Sequence, residues 1–329
     1  MPVIFFMKAL ILIISVLLNT AFFTLLERKI LGYIQTRKGP NKVGFKGFLQ
    51  PFSDAIKLFT KVSHVPYFGN WVPYIVGPLM ALSVSLMLWL VLPLEFSLLG
   101  APLSMVLMFC LMSLAVYPII AAGWSSNSKY ALVGGVRAVA QTISYEVSLI
   151  LVFVSFILFS GSLGLESLLE EKSSYMFMAL PVLSGVWVMC SLAETGRTPF
   201  DLPEGESELV SGFNTEYSGG PFAMFFLAEY SSVLFISLVS SILLFHPVGF
   251  NLPGLGAAFL GFIIFFIWAR GSLPRVRYDT LMQLTWKRFL PVTLAYLYFS
   301  LSSLTLLYSG NCNELYSSFS CKPNVLYKL

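Results

Sequence analysis

The 329-residue sequence predicts an all-α, polytopic membrane protein: eight transmembrane helices plus an amphipathic surface helix, in a single membrane domain spanning 1–329. Three observations predict it. The chain is 57% hydrophobic and only 11% charged, with a mean hydropathy of +0.81, whereas soluble domains carry about a quarter charged residues. Crossing about 30 Å of hydrocarbon takes roughly 20 apolar residues, and eight segments reach that scale: 5–26, 71–93, 101–123, 138–161, 174–193, 220–245, 252–269 and 289–309. The runs are continuously apolar and do not alternate, which selects helices over a barrel.

Orientation follows from the bases. Loops 27–70, 124–137, 194–219 and 270–288 share one side and hold sixteen of the twenty Lys and Arg residues; Lys8, Lys172, Lys322 and Lys328 are left to the other. The positive-inside rule makes the rich side cytoplasm or mitochondrial matrix, and an even number of spans returns both termini to the opposite face. The net charge of +4 therefore reports topology and not nucleic-acid binding.

Taken in order, segment 5–26 is a retained span and not a signal peptide, because only Lys8 precedes its long apolar core and no small-x-small cleavage site closes it. No arginine-rich presequence precedes it, which points to synthesis inside the organelle if the protein is organellar. Its end supplies Glu27, Arg28 and Lys29. In the following loop, Lys46 to Lys61 places Phe48, Phe52, Ala55, Ile56 and Phe59 at helical spacing, with Asp54, Lys57 and Lys61 on another stripe. By pattern alone this helix, entered through Pro51, is a membrane-surface anchor whose lysines meet anionic lipid; the alternative makes Asp54 and Lys57 part of a pocket wall.

Before the fourth span, Gly134 and Gly135 permit a tight turn and Arg137 starts the helix. Glu146 lies about nine residues inside that span and Glu229 about nine inside the sixth, roughly 13 Å deep at 1.5 Å per residue. A carboxyl group there is protonated, paired or facing water, and such acids are functional candidates. Gln141, Thr142, Ser144 and Tyr145 put hydrogen-bonding groups within about a turn of Glu146, as a proton path or polar helix packing would.

Between the fifth and sixth spans, ETGRTPFDLPEGESELVSGFNTEY sets Glu194, Asp201, Glu204, Glu206, Glu208 and Glu216 against one base, Arg197. Crowded carboxylates raise one another's pKa, so this loop calls for solvent, cations or protons. The last basic-side loop, 270–288, carries Arg270, Arg275, Arg277 and Asp279. Cys110 and Cys190 fall in spans and pack as small apolar residues, whereas Cys312 and Cys321 in tail 310–329 are either a disulfide or two free thiols. His64 and His246 lie on opposite faces and no C-x-x-C pair occurs, so this chain alone is not expected to build a metal or haem site. Neither a Walker motif nor a G-x-G-x-x-G fingerprint is present. Without a resemblance, the residues fit an ion-coupled transporter as well as a proton-moving subunit, though no internal repeat supports the former.

The segments TLLERKILGYIQTRKGPNKVG, QPFSDAIKLFTK, GWSSNSKYALVGGVRAVAQTISYE, AETGRTPFDLPEGESELVSGFNTEYSGG and RGSLPRVRYDTLMQLTWK together resemble the chain 1 family of respiratory complex I, in its mitochondrial animal form, over nearly all of 5–305. The resemblance implies a core membrane subunit of proton-pumping NADH:ubiquinone oxidoreductase in the mitochondrial inner membrane, with both termini toward the intermembrane space. It implies no complete active site on this chain: ubiquinone is the substrate, while NADH, FMN and iron–sulfur clusters sit on partner subunits. Partners so implied are the quinone-site and iron–sulfur subunits of the matrix arm, the small and antiporter-like subunits of the membrane arm, and lipids. Residues matching the family's quinone chamber are Glu27, Arg28, Asp54, Ala55, Lys57, Phe59, Glu204, Glu206, Glu208, Arg275, Arg277 and Asp279. Those matching its proton-coupling path are Glu146, Glu194, Asp201 and Glu229. Two departures stand out: the tail from Asn311 to Leu329 extends past the match, and Pro203 interrupts the acidic loop where many relatives carry another residue.

Overall fold

The computed structural model describes residues 2–92, 103–160, 164–165, 180–202, 211–244 and 252–315, of which 2–5, 159–160, 252 and 306–315 are described by backbone alone. Helix α1 (Pro2–Ile34) leads through a 3-10 turn, Phe45–Gly47, to α2 (Gln50–Thr60). Then come α3 (Trp71–Leu90), α4 (Ser104–Leu114), α5 (Val116–Ser125), α6 (Lys129–Ser160), α7 (Pro181–Glu194) and α8 (Gly219–Leu244). The described chain continues with α9 (Leu252–Ser272), α10 (Tyr278–Gln283), a π-helical turn Leu284–Phe289 and α11 (Leu290–Leu315). All regular structure among the described residues is helical.

Among the described residues, six helical stretches are long and apolar enough to cross a membrane: Phe6–Ile34, Trp71–Leu90, Ser104–Ser125, Lys129–Leu158, Gly219–Leu244 and Pro253–Ser272. The third is α4 and α5 together. The spans expected at 174–193 and 289–309 lie only partly within the described side chains; their described portions are α7, a 14-residue apolar helix, and α11. The helix expected in the first loop is present as α2, with Pro51 at its first turn and buried, while Phe52, Ile56 and Phe59 are exposed.

Two boundaries differ from the sequence reading. Glu27, Arg28 and Lys29 do not end α1, because all three are good helix formers; the helix runs on to Ile34 and the chain turns at Thr36, whose φ is 55°. Gly134 and Gly135 make no turn but lie inside α6, which begins at Lys129. Their use is close approach: a Cβ on Gly134 would sit 2.7 Å from the Gly212 backbone, and one on Gly135 would sit 3.3 Å from Gly123.

Helix α8 is the interior axis, with 56% of its apolar window buried against 22% for α1. It packs on α1, α2, α3 and α9, while α6 packs on α5, α7 and α11. The main core gathers Tyr145, Phe153, Phe156, Trp187, Phe235 and Phe266. A satellite core of Tyr74, Ala122, Phe213, Tyr217 and Phe225 forms between α3, α5 and the start of α8. Hydroxyls of Ser231, Ser237, Ser240 and Ser241 donate to carbonyls three or four residues back, so α8 carries polar side chains into the core without leaving donors unmet. Trp187 Nε1 donates to Ser240 Oγ at 3.0 Å, joining α7 to α8. Cys190 is buried on α7 and shares a hydrogen bond with Ser148 at 3.2 Å; Cys110 on α4 is exposed instead of packed inside. The Cys312–Cys321 question falls outside the described residues.

Candidate functional site

The site is assembled around the end of α7. Gly196, at φ 59°, ends that helix: its N–H bonds the Ala193 carbonyl at 3.2 Å and the Arg197 N–H bonds the Leu192 carbonyl at 3.3 Å. This pair of bonds is the Schellman arrangement, which requires a left-handed residue that glycine adopts at little cost. It turns the chain so that Arg197 reaches back to α1. Arg197 Nη1 donates to Glu27 Oε1 at 2.9 Å, Arg270 Nη1 from the end of α9 donates to the same oxygen, and Tyr230 of α8 donates its hydroxyl to Oε2 at 2.8 Å. The Arg197 guanidinium also lies over the Tyr230 ring, 4.6 Å from its centroid.

Glu27 is only 4% exposed, so its charge survives burial because two guanidiniums and a phenol meet it. The arrangement joins α1, the turn after α7, α8 and α9 through one carboxylate. Further bonds fix that turn. Thr198 Oγ1 donates to the Arg270 carbonyl at 3.1 Å, the Val276 N–H donates to the Pro199 carbonyl at 2.9 Å, and Gln141 Nε2 donates to the carbonyls of Ala193 (3.0 Å) and Phe200 (2.7 Å).

Beneath the turn lies a cavity of about 150 Å³, walled mostly by apolar side chains. Its polar lining comes from Ser85 on α3, Gln141 and Thr142 on α6, Glu194, Thr195 and Arg197 at the turn, and Glu229 and Ser232 on α8. Such a space accommodates several waters where polar partners are present. Glu194 Oε2 is buried with no hydrogen-bond partner among the described residues. Glu146 does not line the cavity, but it stands close enough to Glu194 for their charges to interact.

The remaining sequence candidates divide. Arg28, next to Glu27 but about 100° further round the helix, points the other way and pairs with Asp54 of α2 at 2.6 Å; Gln50 Nε2 donates to the other Asp54 oxygen at 2.9 Å. Ala55 is half-buried, while Lys57 and Phe59 are exposed on α2. Arg277 and Asp279 form a 3.4 Å pair in the open, and Arg275 keeps Nε and Nη2 buried with no hydrogen-bond partner among the described residues. Asp201 is half-buried just before Glu204, Glu206 and Glu208, which lie outside the described residues.

On the far side of that acidic segment the chain is held by aromatics. Tyr74 and Tyr217 stack at 4.3 Å with an interplanar angle of 5°, and Tyr74 donates its hydroxyl toward the carbonyls of Glu216 (2.8 Å) and His64 (3.1 Å). Burial pushes the Tyr217 phenol above its ordinary range, although its hydrogen bond with Ser125 opposes this.

Sequence reasoning named Glu27 and Arg197 but not their pairing, and it missed Tyr230 and the clamping role of Gln141. Glu27 and Arg197 are 170 positions apart and Glu27 and Arg270 243, so no local pattern could have joined them. The surplus of buried-type charge at span ends was the one available signal.

Among the described residues, six helices long and apolar enough to cross a membrane, joined where four elements meet on a buried carboxylate, define a multi-pass membrane protein. Residues 7–301 match the family model described as NADH dehydrogenase, and the chain belongs to that family. Among its curated relatives, the NADH-ubiquinone oxidoreductase chain 1 of Aedes aegypti is 53% identical over 294 residues, covering 88% of this chain and 93% of the relative. The Lampetra fluviatilis protein of that name is 49% identical over 296 residues, with 88% and 92% covered, and that of Patiria pectinifera 46% over 310 residues, with 90% and 93% covered.

Proposed function

We propose that this chain is a core membrane subunit of a mitochondrial inner-membrane NADH:ubiquinone oxidoreductase that walls the membrane side of the ubiquinone chamber and couples quinone reduction to proton translocation. Family membership and the relatives' shared name support the assignment to the complex. The observation that carries the finer reading is Arg197, which pairs with Glu27 in the ion cluster and also lines the cavity containing Glu194 and Glu229. A charge change at the cluster is thereby felt in the cavity without any large motion, since Coulomb interactions strengthen away from water.

In this reading Glu27, Arg28, Asp54, Ala55, Lys57 and Phe59 form the chamber's entrance. Glu204, Glu206 and Glu208 with Arg275, Arg277 and Asp279 complete its wall, and Glu194, Asp201, Glu146 and Glu229 carry the coupling. The exposed apolar residues of α2 rest on lipid, the single domain has both termini toward the intermembrane space, and ubiquinone arrives from the bilayer. Electrons come from iron–sulfur clusters on partner subunits that also hold FMN and bind NADH. A coupling path is tested by function. Membranes carrying Glu229→Gln, normalised to assembled complex by native gel, are expected to lose most inhibitor-sensitive NADH:ubiquinone reduction coupled to proton pumping. Full turnover with full pumping would overturn the coupling role.

A further inference from the structure

The contacts of Gln141 exceed what a packing residue needs. It lies on α6 at 1% exposure, and its single Nε2 amide donates to the carbonyls at both ends of the turn 193–200. Both hydrogens of the amide are therefore used, one on Ala193 and one on Phe200. Between these two points lie Glu194, whose side chain enters the cavity, and Arg197, which leaves it for Glu27. The Gln141 carbonyl oxygen, Oε1, is buried and accepts no hydrogen bond from the described residues, and Gln141 itself lines the same cavity as the unpartnered Glu194 Oε2.

A buried amide acceptor without a partner costs about 1–3 kcal/mol, so an arrangement that keeps one needs a use for it. Water in the cavity would meet that need by donating to Gln141 Oε1 and exchanging hydrogen bonds with the Glu194 carboxyl. Arg197 from the turn and Glu229 from α8 line the same cavity as Glu194, and Glu146 from α6 stands close enough for its charge to act on Glu194.

We infer that Gln141 is a positioning residue for the coupling step: its NH₂ group fixes the turn that aims Glu194 and Arg197, and its oxygen anchors the water that contacts Glu194. This rests on the coupling role proposed above for Glu194. Methionine matches the length of Gln141 but offers neither donor nor acceptor, and asparagine keeps the amide but is one methylene too short to bond both carbonyls.

The experiment compares Gln141→Met, Gln141→Asn and Glu194→Gln in intact complex, measuring kcat and KM for ubiquinone and protons pumped per NADH, all per assembled complex. Both Gln141 variants are expected to lower kcat by about three- to ten-fold, with KM for ubiquinone held within about two-fold, and to lower the pumped ratio. The Asn variant lies nearer to wild type. Normal kcat and pumping per assembled complex would make Gln141 a packing residue and overturn the inference, even where the amount of complex falls. Should the Met variant not assemble, the Asn variant decides by the same criteria. Normal coupling in Glu194→Gln would instead overturn the reading on which the inference rests, and is distinguishable because that variant leaves the Gln141 clamp intact.

Discussion

The acidic segment 203–210 enters and leaves through two anchors built from opposite chemistry. Upstream, Glu27, Arg197, Arg270 and Tyr230 hold the turn after α7 by charge, with Gln141 clamping its ends. Downstream, Tyr74, Tyr217, Phe213 and Phe225 hold the entry to α8 by ring contact, with Phe225 edge-on to both Phe213 (5.6 Å, 81°) and Tyr217 (5.1 Å, 78°). A ring stack is indifferent to the protonation and redox state of its surroundings, whereas a buried carboxylate shared by two guanidiniums is held in a balance that any nearby charge alters. Both anchors reach the cavity with Glu194 and Glu229, the downstream one through the rings of Phe213 and Phe225, but the upstream one meets it with a charge, that of Arg197. The difference assigns sensitivity to one end of the segment and register to the other.

The sharpest way to break this contrast is at the shared carboxylate. Glu27→Gln removes the cluster's carboxylate charge from the Arg197 and Arg270 guanidiniums, whose side chains are 12% and 30% exposed. Breaking a buried pair by deleting one partner costs about 3–5 kcal/mol, and here two cations lose the same carboxylate at once, Arg270 recovering part of its loss in water. The expected outcome is severe loss of assembled complex on a native gel, and loss of whatever activity depends on it. A Glu27→Gln chain that assembles at wild-type levels would show that the cluster is not what holds the turn.

Downstream, the same experiment should read stability without chemistry. Gly134→Ala places a methyl carbon 2.7 Å from the Gly212 backbone, which must shift; overpacking of this kind costs about 1–3 kcal/mol. Tyr217→Phe is gentler: it keeps the ring stack and loses the hydroxyl's bonds to Ser125 and the Tyr74 carbonyl, a loss of about 1 kcal/mol for each bond. Both should lower the thermal midpoint of the assembled complex, Gly134→Ala by more, while quinone reduction per assembled complex stays unchanged. A turnover defect in Tyr217→Phe with normal thermal stability would erase the distinction between the anchors.

What was legible in the sequence follows from the range over which the physics acts. Helices α3, α8 and α9 begin within a residue of the expected spans, because hydropathy and segment length are local. The presence of a helix at α2 was legible for the same reason, as was its entry through Pro51. The run-on of α1 to Ile34 was missed because charge was read as a boundary, although Glu, Arg and Lys favour helix. Gly134 and Gly135 were misread because glycine signals either a turn or a close approach, and only the position of Gly212 decides. The cluster on Glu27 was illegible: adjacency in sequence put Glu27 with Arg28, whereas the 100° step of the helix sends one inward to Arg197 and the other outward to Asp54.

That divergence yields the smallest expected effect and the finest test of the contrast. Arg28 and Asp54 are 53% and 35% exposed in their side chains, so water and salt screen a pair whose 2.6 Å geometry rivals that of the buried one. Exposed pairs contribute about 0–1 kcal/mol, and less as added salt shortens the Debye length below its value of about 8 Å at 0.15 M. Arg28→Ala should therefore leave assembly and thermal midpoint nearly unchanged, with any shift shrinking as salt is added. Its proposed place at the chamber entrance predicts the effect elsewhere, in a raised KM for ubiquinone at unaltered kcat. If Arg28→Ala instead destabilised the complex as severely as Glu27→Gln, burial would not be what separates these neighbours, and the division between a sensitive anchor and an indifferent surface would have to be redrawn.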